Sequence, residues 1–216
     1  MSIPVLIIGK SGTGKSTSLR NLDPAKVSLI NVIGKPLPFK GGNKFKSYVC
    51  DDPTKIESAI ALAKTDIVVI DDGGYILTNM FMRTHASAGT GNGVFQVYNA
   101  LGDSFWHLIE EAKSGKENRR IYFIMHEEQN DFGQTKPKTI GKLLDEKVCI
   151  EGMFTIVLRS MFKDGKYLFR TQTDGSDVSK SPIGMFENTE IDNDLAAVDK
   201  AICDYYEINE GDKNND

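Results

Sequence analysis

Gly9-Lys10-Ser11-Gly12-Thr13-Gly14-Lys15-Ser16 fills every position of the pattern G-x-x-x-x-G-K-[ST]. The chemistry this spacing supports is a grip on polyphosphate. Gly9, Gly12 and Gly14 have no Cβ and can take positive φ, so the backbone can curl close around phosphate oxygens. Lys15 is placed to reach the β- and γ-phosphates, and the Ser16 hydroxyl to sit on Mg²⁺. The expected nucleotide-binding stretch is Gly9, Lys10, Ser11, Gly12, Thr13, Gly14, Lys15, Ser16 and Thr17. Its ligand would be a nucleoside triphosphate with Mg²⁺.

A second group of chemically able residues follows the apolar run Ile67-Val68-Val69-Ile70. Asp71 stands where a strand-end carboxylate would hold Mg²⁺, mostly through water, in the manner of a Walker B motif. Asp72 is positioned to orient or deprotonate an attacking water. It is one methylene shorter than the Glu usual there. The run Ile121 to Met125 ends in His126-Glu127. His126 could feel the γ-phosphate from the tip of a neighbouring strand, or simply satisfy a buried carbonyl. Glu127 competes with Asp72 for the role of base. Residues Gln129 to Gly141 with Lys142 then read as a flexible basic loop. Its Lys136 and Lys138, with Lys142, could contact a DNA backbone or a neighbouring subunit.

These residues need a scaffold that brings strand ends together. Ile3 to Ile8 has the length and branching of a buried strand, and Lys15 to Asn21 reads as the helix that follows the loop. Val27 to Ile33 and Phe45 to Cys50 are further strands, and Thr54 to Lys64 a helix. Between the strands, Gly34 to Gly42 holds Pro36 and Pro38 and must be loop, where Lys35 and Lys40 could face a nucleotide or polyanion or simply be solvated. A helix begins near Gly73, with Met80, Phe81 and Met82 expected in the core. Arg83 to Gly93 lacks periodicity. Val94 to Lys113 is a long amphipathic helix whose aromatics, Trp106 among them, are expected in the core. The Asp164-Gly165 pair between apolar runs marks a hairpin, and Asp192 to Tyr206 a last helix capped by Asn193 or Asp192. The sum is an α/β fold: a mainly parallel central sheet flanked by helices, with a C-terminal β-hairpin and helix.

Length and composition limit the alternatives. A chain of 216 residues suits one domain, expected over 1–206, with an acidic disordered tail over 207–216. The net charge of −4 argues against a constitutively basic surface, though not against a local basic loop. Cys50, Cys149 and Cys203 are scattered and odd in number, which fits a reducing cytoplasm rather than a disulfide framework. The apolar start is too short for a signal peptide, and no run approaches the ~20 apolar residues of a membrane span.

Taken in order, the Gly9 to Thr17 loop, Ile33-Gly34-Lys35-Pro36-Leu37-Pro38, Ile70-Asp71-Asp72, Met125-His126-Glu127, Ile140-Gly141-Lys142-Leu143-Leu144 and Asn193-Asp194-Leu195 carry a resemblance. The chain resembles the phage-encoded RecA-like P-loop ATPases, also labelled phage nucleotide-binding or AAA-domain proteins. Their relatives include single-strand annealing proteins of phage recombination. The resemblance implies a RecA-like sheet in which the His126 strand separates the Walker A and Walker B strands. It also implies Mg-ATP, a homo-oligomer, single-stranded DNA, and phage replication or recombination proteins as partners in the host cytoplasm. Arg83, Arg119 and Arg159 are the alternatives for an arginine finger. The leading expectation is an ATPase coupling nucleotide state to single-stranded DNA binding or annealing. A slow-hydrolysing, nucleotide-gated interaction module and a nucleotide kinase are the competitors.

Overall fold

The computed structural model describes residues 1–87, 92–140 and 148–208. Its centre is a sheet of nine strands among these residues: β1 (Ile3–Gly9), β2 (Val27–Asn31), β3 (Ser47–Val49), β4 (Ile67–Asp71), β5 (Arg120–Gln129), β6 (Thr135–Pro137), β7 (Ile156–Lys163), β8 (Lys166–Arg170) and β9 (Glu190–Asp192). The order is β3-β2-β4-β5-β1-β7-β8-β9, with β6 paired to β5. From β3 to β7 the pairings are parallel, and the hairpins at β6, β8 and β9 are antiparallel. The strand bearing His126 therefore lies between the strand that ends at Gly9 and the one that ends at Asp71. This is a mainly parallel α/β sheet of the kind P-loop NTPase domains use.

Burial on both faces explains the unbroken apolar runs of the central strands. Val5 to Ile8, Val68 to Ile70 and Ile121 to Met125 are all fully enclosed. One face packs on α1 (Pro53–Leu62), α2 (Gly74–Thr84) and α3 (Asn92–Ser114) through Ile56, Ile76, Leu101, Phe105 and Leu108. The other packs on Leu19, Leu22 and α4 (Leu195–Tyr205) through Leu195, Val198 and Ile202. Among the described residues no helix is long and apolar enough to cross a membrane.

Several local expectations are corrected. The segment after the phosphate loop is a short 3₁₀ helix, Ser16–Asn21. Ser18 Oγ donates to the Lys15 carbonyl at 2.6 Å, the kind of local bond by which serine competes with regular helix, and Asp23-Pro24 halts the chain soon after. Residues 129–140 are no loose loop, because Thr135–Pro137 folds back on Glu127–Gln129 as a hairpin. Trp106 and Phe95 are 41% and 59% exposed, and Met82 is exposed as well. Phe105 takes the inward position on α3 and leaves its neighbour facing out. The cap of α4 is Asp194, whose carboxylate accepts from the Ala196 N–H, rather than Asn193 or Asp192. The Asp164-Gly165 turn is as expected, with both residues at positive φ. Lys142, the neighbouring Leu143 and Leu144, and most of the 207–216 tail lie outside the described residues.

Candidate functional site

At the end of β1, Gly9 stands in register with His126 of β5 on one side and Ser160 of β7 on the other. Both flanking strands run on past it, so the phosphate loop sits between two overhanging hairpins. Gly12 and Gly14 adopt φ of 80° and 94°. A Cβ on Gly9 would lie 2.7 Å from the Ser160 carbonyl oxygen and from Thr13 Oγ1. One on Gly14 would meet Tyr167 Cδ1 at 2.8 Å and Asn193 Oδ1 at 3.1 Å. The loop is thus a cradle that tolerates no side chain at these positions. Ser160 Oγ donates to the Thr13 carbonyl at 2.7 Å, and Asn193 Nδ2 donates to Ser160 Oγ at 3.1 Å. Asn193 Oδ1 is buried without a hydrogen-bond partner. Ser160 and Tyr167 escape a reading of the sequence, and Asn193 enters it only as a helix cap and within the resemblance, since nothing local to them signals a phosphate loop far away in the chain.

Lys15 is 7% exposed, and its Nζ donates to the Gly9 and Lys10 carbonyls at 2.8 and 2.7 Å. Burial pulls its pKa below the ordinary lysine value, while the carboxylates of Asp72, Asp71 and Glu127 oppose that shift. Lys10 and Ser11 are exposed at the loop's tip, and Thr17 is half-buried behind it.

Ser16 Oγ donates to Asp71 Oδ1 at 2.8 Å, which joins the hydroxyl and the carboxylate singled out in the sequence as magnesium ligands. Asp71 is 4% exposed; burial first and the charge of Asp72 second push its pKa up to about 6. Asp72 turns out of β4 at φ 59°, and this left-handed turn faces its carboxylate to Lys35 Nζ at 3.1 Å and His126 Nε2 at 3.6 Å. Burial, then the nearby Lys15 charge, lowers the His126 pKa, so at pH 7 the ring faces Asp72 as a neutral dipole. Tyr75 meets that ring edge-on at 5.9 Å. Lys35 arrives from the proline-containing loop after β2.

Glu127 is gripped by Arg159, whose Nε and Nη2 donate to its carboxylate at 2.8 and 2.9 Å. Arg159 also reaches Asp177 at 3.3 Å, and so does Arg170 at 3.4 Å. The other arginines are engaged elsewhere: Arg83 pairs with Asp51, and Arg119 is buried, donating to the carbonyls of Ile60 and Ala63. Lys136 lies 3.4 Å from Glu128 across the β5–β6 hairpin. Lys138 is exposed and lines a cleft of about 490 Å³ with Lys10, Ser11, Tyr75, Thr78 and His126.

The residues present suit Mg²⁺ and a triphosphate. A hydroxyl and a carboxylate oxygen meet at one corner, a buried ammonium lies beside them, and the backbone at Gly9 and Gly14 has no room for an added Cβ. Such a loop, set among the strand tips of a parallel sheet, defines a P-loop nucleotide-binding protein. The sequence profile of the AAA domain family matches residues 1–183, and the chain belongs to that family. It is also similar to the protein named GTPase Era from Borreliella afzelii and from Borrelia garinii subsp. bavariensis. Each is 27% identical over 150 residues, covering 65% of this chain and 45% of the relative. The chain thus spans less than half the length of these curated relatives.

Proposed function

We propose that this protein is a Mg-dependent ATPase that couples its nucleotide state to single-stranded DNA binding or annealing, in the manner of the RecA-like phage proteins it resembles. The observation that carries the nucleotide half is the Ser16–Asp71 contact beneath a complete phosphate loop. When bound, Mg²⁺ would be held by Ser16 and Asp71 and would neutralise charge on the transferring phosphoryl group. Lys15 exchanges a loop carbonyl for a phosphate oxygen. Asp72 positions water, and neutral His126 beside it offers a hydrogen bond that depends on the γ-phosphate. Three features support the DNA half. The stretch from Pro24 to Cys50 contains no Asp or Glu. Its Lys40, Lys44 and Lys46 are all exposed. The same stretch carries Lys35, which reaches Asp72. A polyanion on this stretch and a nucleotide in the loop would share one connection.

The relatives' name, GTPase Era, makes GTP the other nucleotide to try, but the sequence lacks an Asn-Lys-x-Asp guanine-reading motif. A second reading is favoured by the pairing of both prospective bases: Asp72 with Lys35 and Glu127 with Arg159. In that reading the protein hydrolyses slowly and acts as a nucleotide-gated interaction module. Phosphate release from Mg-ATP, with and without single-stranded DNA, decides between them. Stimulation by DNA that falls about 100-fold or more in Lys15→Ala supports the coupled ATPase. Tight ATP binding without turnover under either condition supports the module.

A further inference from the structure

We propose that Phe162 and Tyr167 form the stacking platform for the base of the bound nucleotide; this rests on the nucleotide-site reading above. The direction in which a triphosphate lies fixes where its base falls. Ser16 meets Asp71 on the β4–β5 side of the loop, so the metal and the γ-phosphate belong there. A triphosphate lying along the cradle must then send its nucleoside out on the opposite side, where β7 and β8 stand.

What waits there is unusual for a protein surface. β1 stops at Gly9 in register with Ser160, but β7 continues to Lys163 before turning into β8. Phe162 and Tyr167 face each other across this overhang, with ring centroids 4.7 Å apart. Strand alternation puts Phe162 on the same face as Ser160, which holds the Thr13 carbonyl, and Tyr167 on the same face as the core residue Phe169. The two rings are 55% and 46% exposed. Tyr167 touches the phosphate loop itself, since its ring occupies the space a Cβ on Gly14 would need. Two half-exposed aromatic rings at the nucleoside end of a phosphate cradle suit a flat π-system. Because stacking uses the face of a base rather than its edge, the platform takes adenine and guanine alike.

The test measures dissociation constants by calorimetry, in the presence of Mg²⁺, for ATP, GTP and inorganic tripolyphosphate. The 216-residue chain is compared with Tyr167→Ala, Phe162→Ala and Tyr167→Trp. The alanine variants should weaken ATP and GTP by a similar factor, about 5- to 100-fold, and leave tripolyphosphate unchanged. In Tyr167→Trp, ATP should bind as in the parent and quench the added indole, whereas tripolyphosphate should not quench it. Unchanged ATP affinity in both alanine variants would overturn the platform. So would an equal loss of tripolyphosphate, because it would make Tyr167 a support for the loop. If the parent binds neither ATP nor tripolyphosphate, the nucleotide-site reading itself fails.

Discussion

Asp71 carries the tension of the site in one side chain. Its carboxyl titrates near 3.9 when unfolded and at about 6 in the folded chain, so the native state holds the proton more tightly. Its contribution to stability is therefore greatest below about pH 4 and is lost as pH rises through about 6. At neutral pH the ligand-free fold bears a buried charge that a magnesium ion would relieve. Asp71→Asn keeps an oxygen for Ser16 Oγ and removes the charge. Thermal melts should show the variant more stable at pH 7.5 by about 2–3 kcal/mol, with the gain shrinking as pH falls through about 6 and gone only near about pH 3. A gain that ignores pH would refute this assignment. Lys35 poses a second residue-scale question, since its ammonium pairs at 3.1 Å with the carboxylate proposed to position water. Lys35→Ala is expected to raise basal phosphate release by roughly 2- to 10-fold. A fall would mean that Lys35 acts on the phosphate instead.

At the scale of elements, the caps and turns make separable predictions. Asp194 caps α4, and Asp194→Ala should cost about 1 kcal/mol, read as a 2–4 °C drop in melting temperature. Elements of this kind are legible where chemistry is local. The apolar runs of β1, β4 and β5 announce doubly covered strands, Asp164-Gly165 announces its hairpin, and the phosphate loop is complete in eight consecutive residues. Legibility ends where the deciding contact is distant. β6 is only three residues long and ends in Pro137, so its strand character comes from its partner on β5. Helical periodicity cannot choose between Phe105 and Trp106 without knowing where the core lies. The pairings of Lys35 with Asp72, Arg159 with Glu127 and Tyr167 with Gly14 join positions far apart in sequence, and no spacing rule reaches that far.

For the molecule as a whole, one buried cluster ties the last helix to the sheet. Arg120 pairs with Asp199 through two hydrogen bonds at 2.9 and 3.0 Å, and the Tyr122 hydroxyl donates to the same carboxylate at 2.6 Å. Asp199→Ala strands a buried guanidinium and a buried phenol. It should destabilise the fold by about 3–5 kcal/mol, lowering the melting temperature by roughly 6–20 °C. A loss under 1 kcal/mol would show that water reaches these groups.

The phosphate loop is written early in the chain, yet its seat is written late. Thr13 leans on Ser160 and Ser160 on Asn193, while Arg20 and Asn21 reach the Asn193 carbonyl and the Asp194 carboxylate. In time rather than in space, a growing polypeptide carries the motif long before anything holds it in shape. Nucleotide would then reward only finished chains, and a chain stopped before Asn193 should keep every motif residue and still bind ATP poorly.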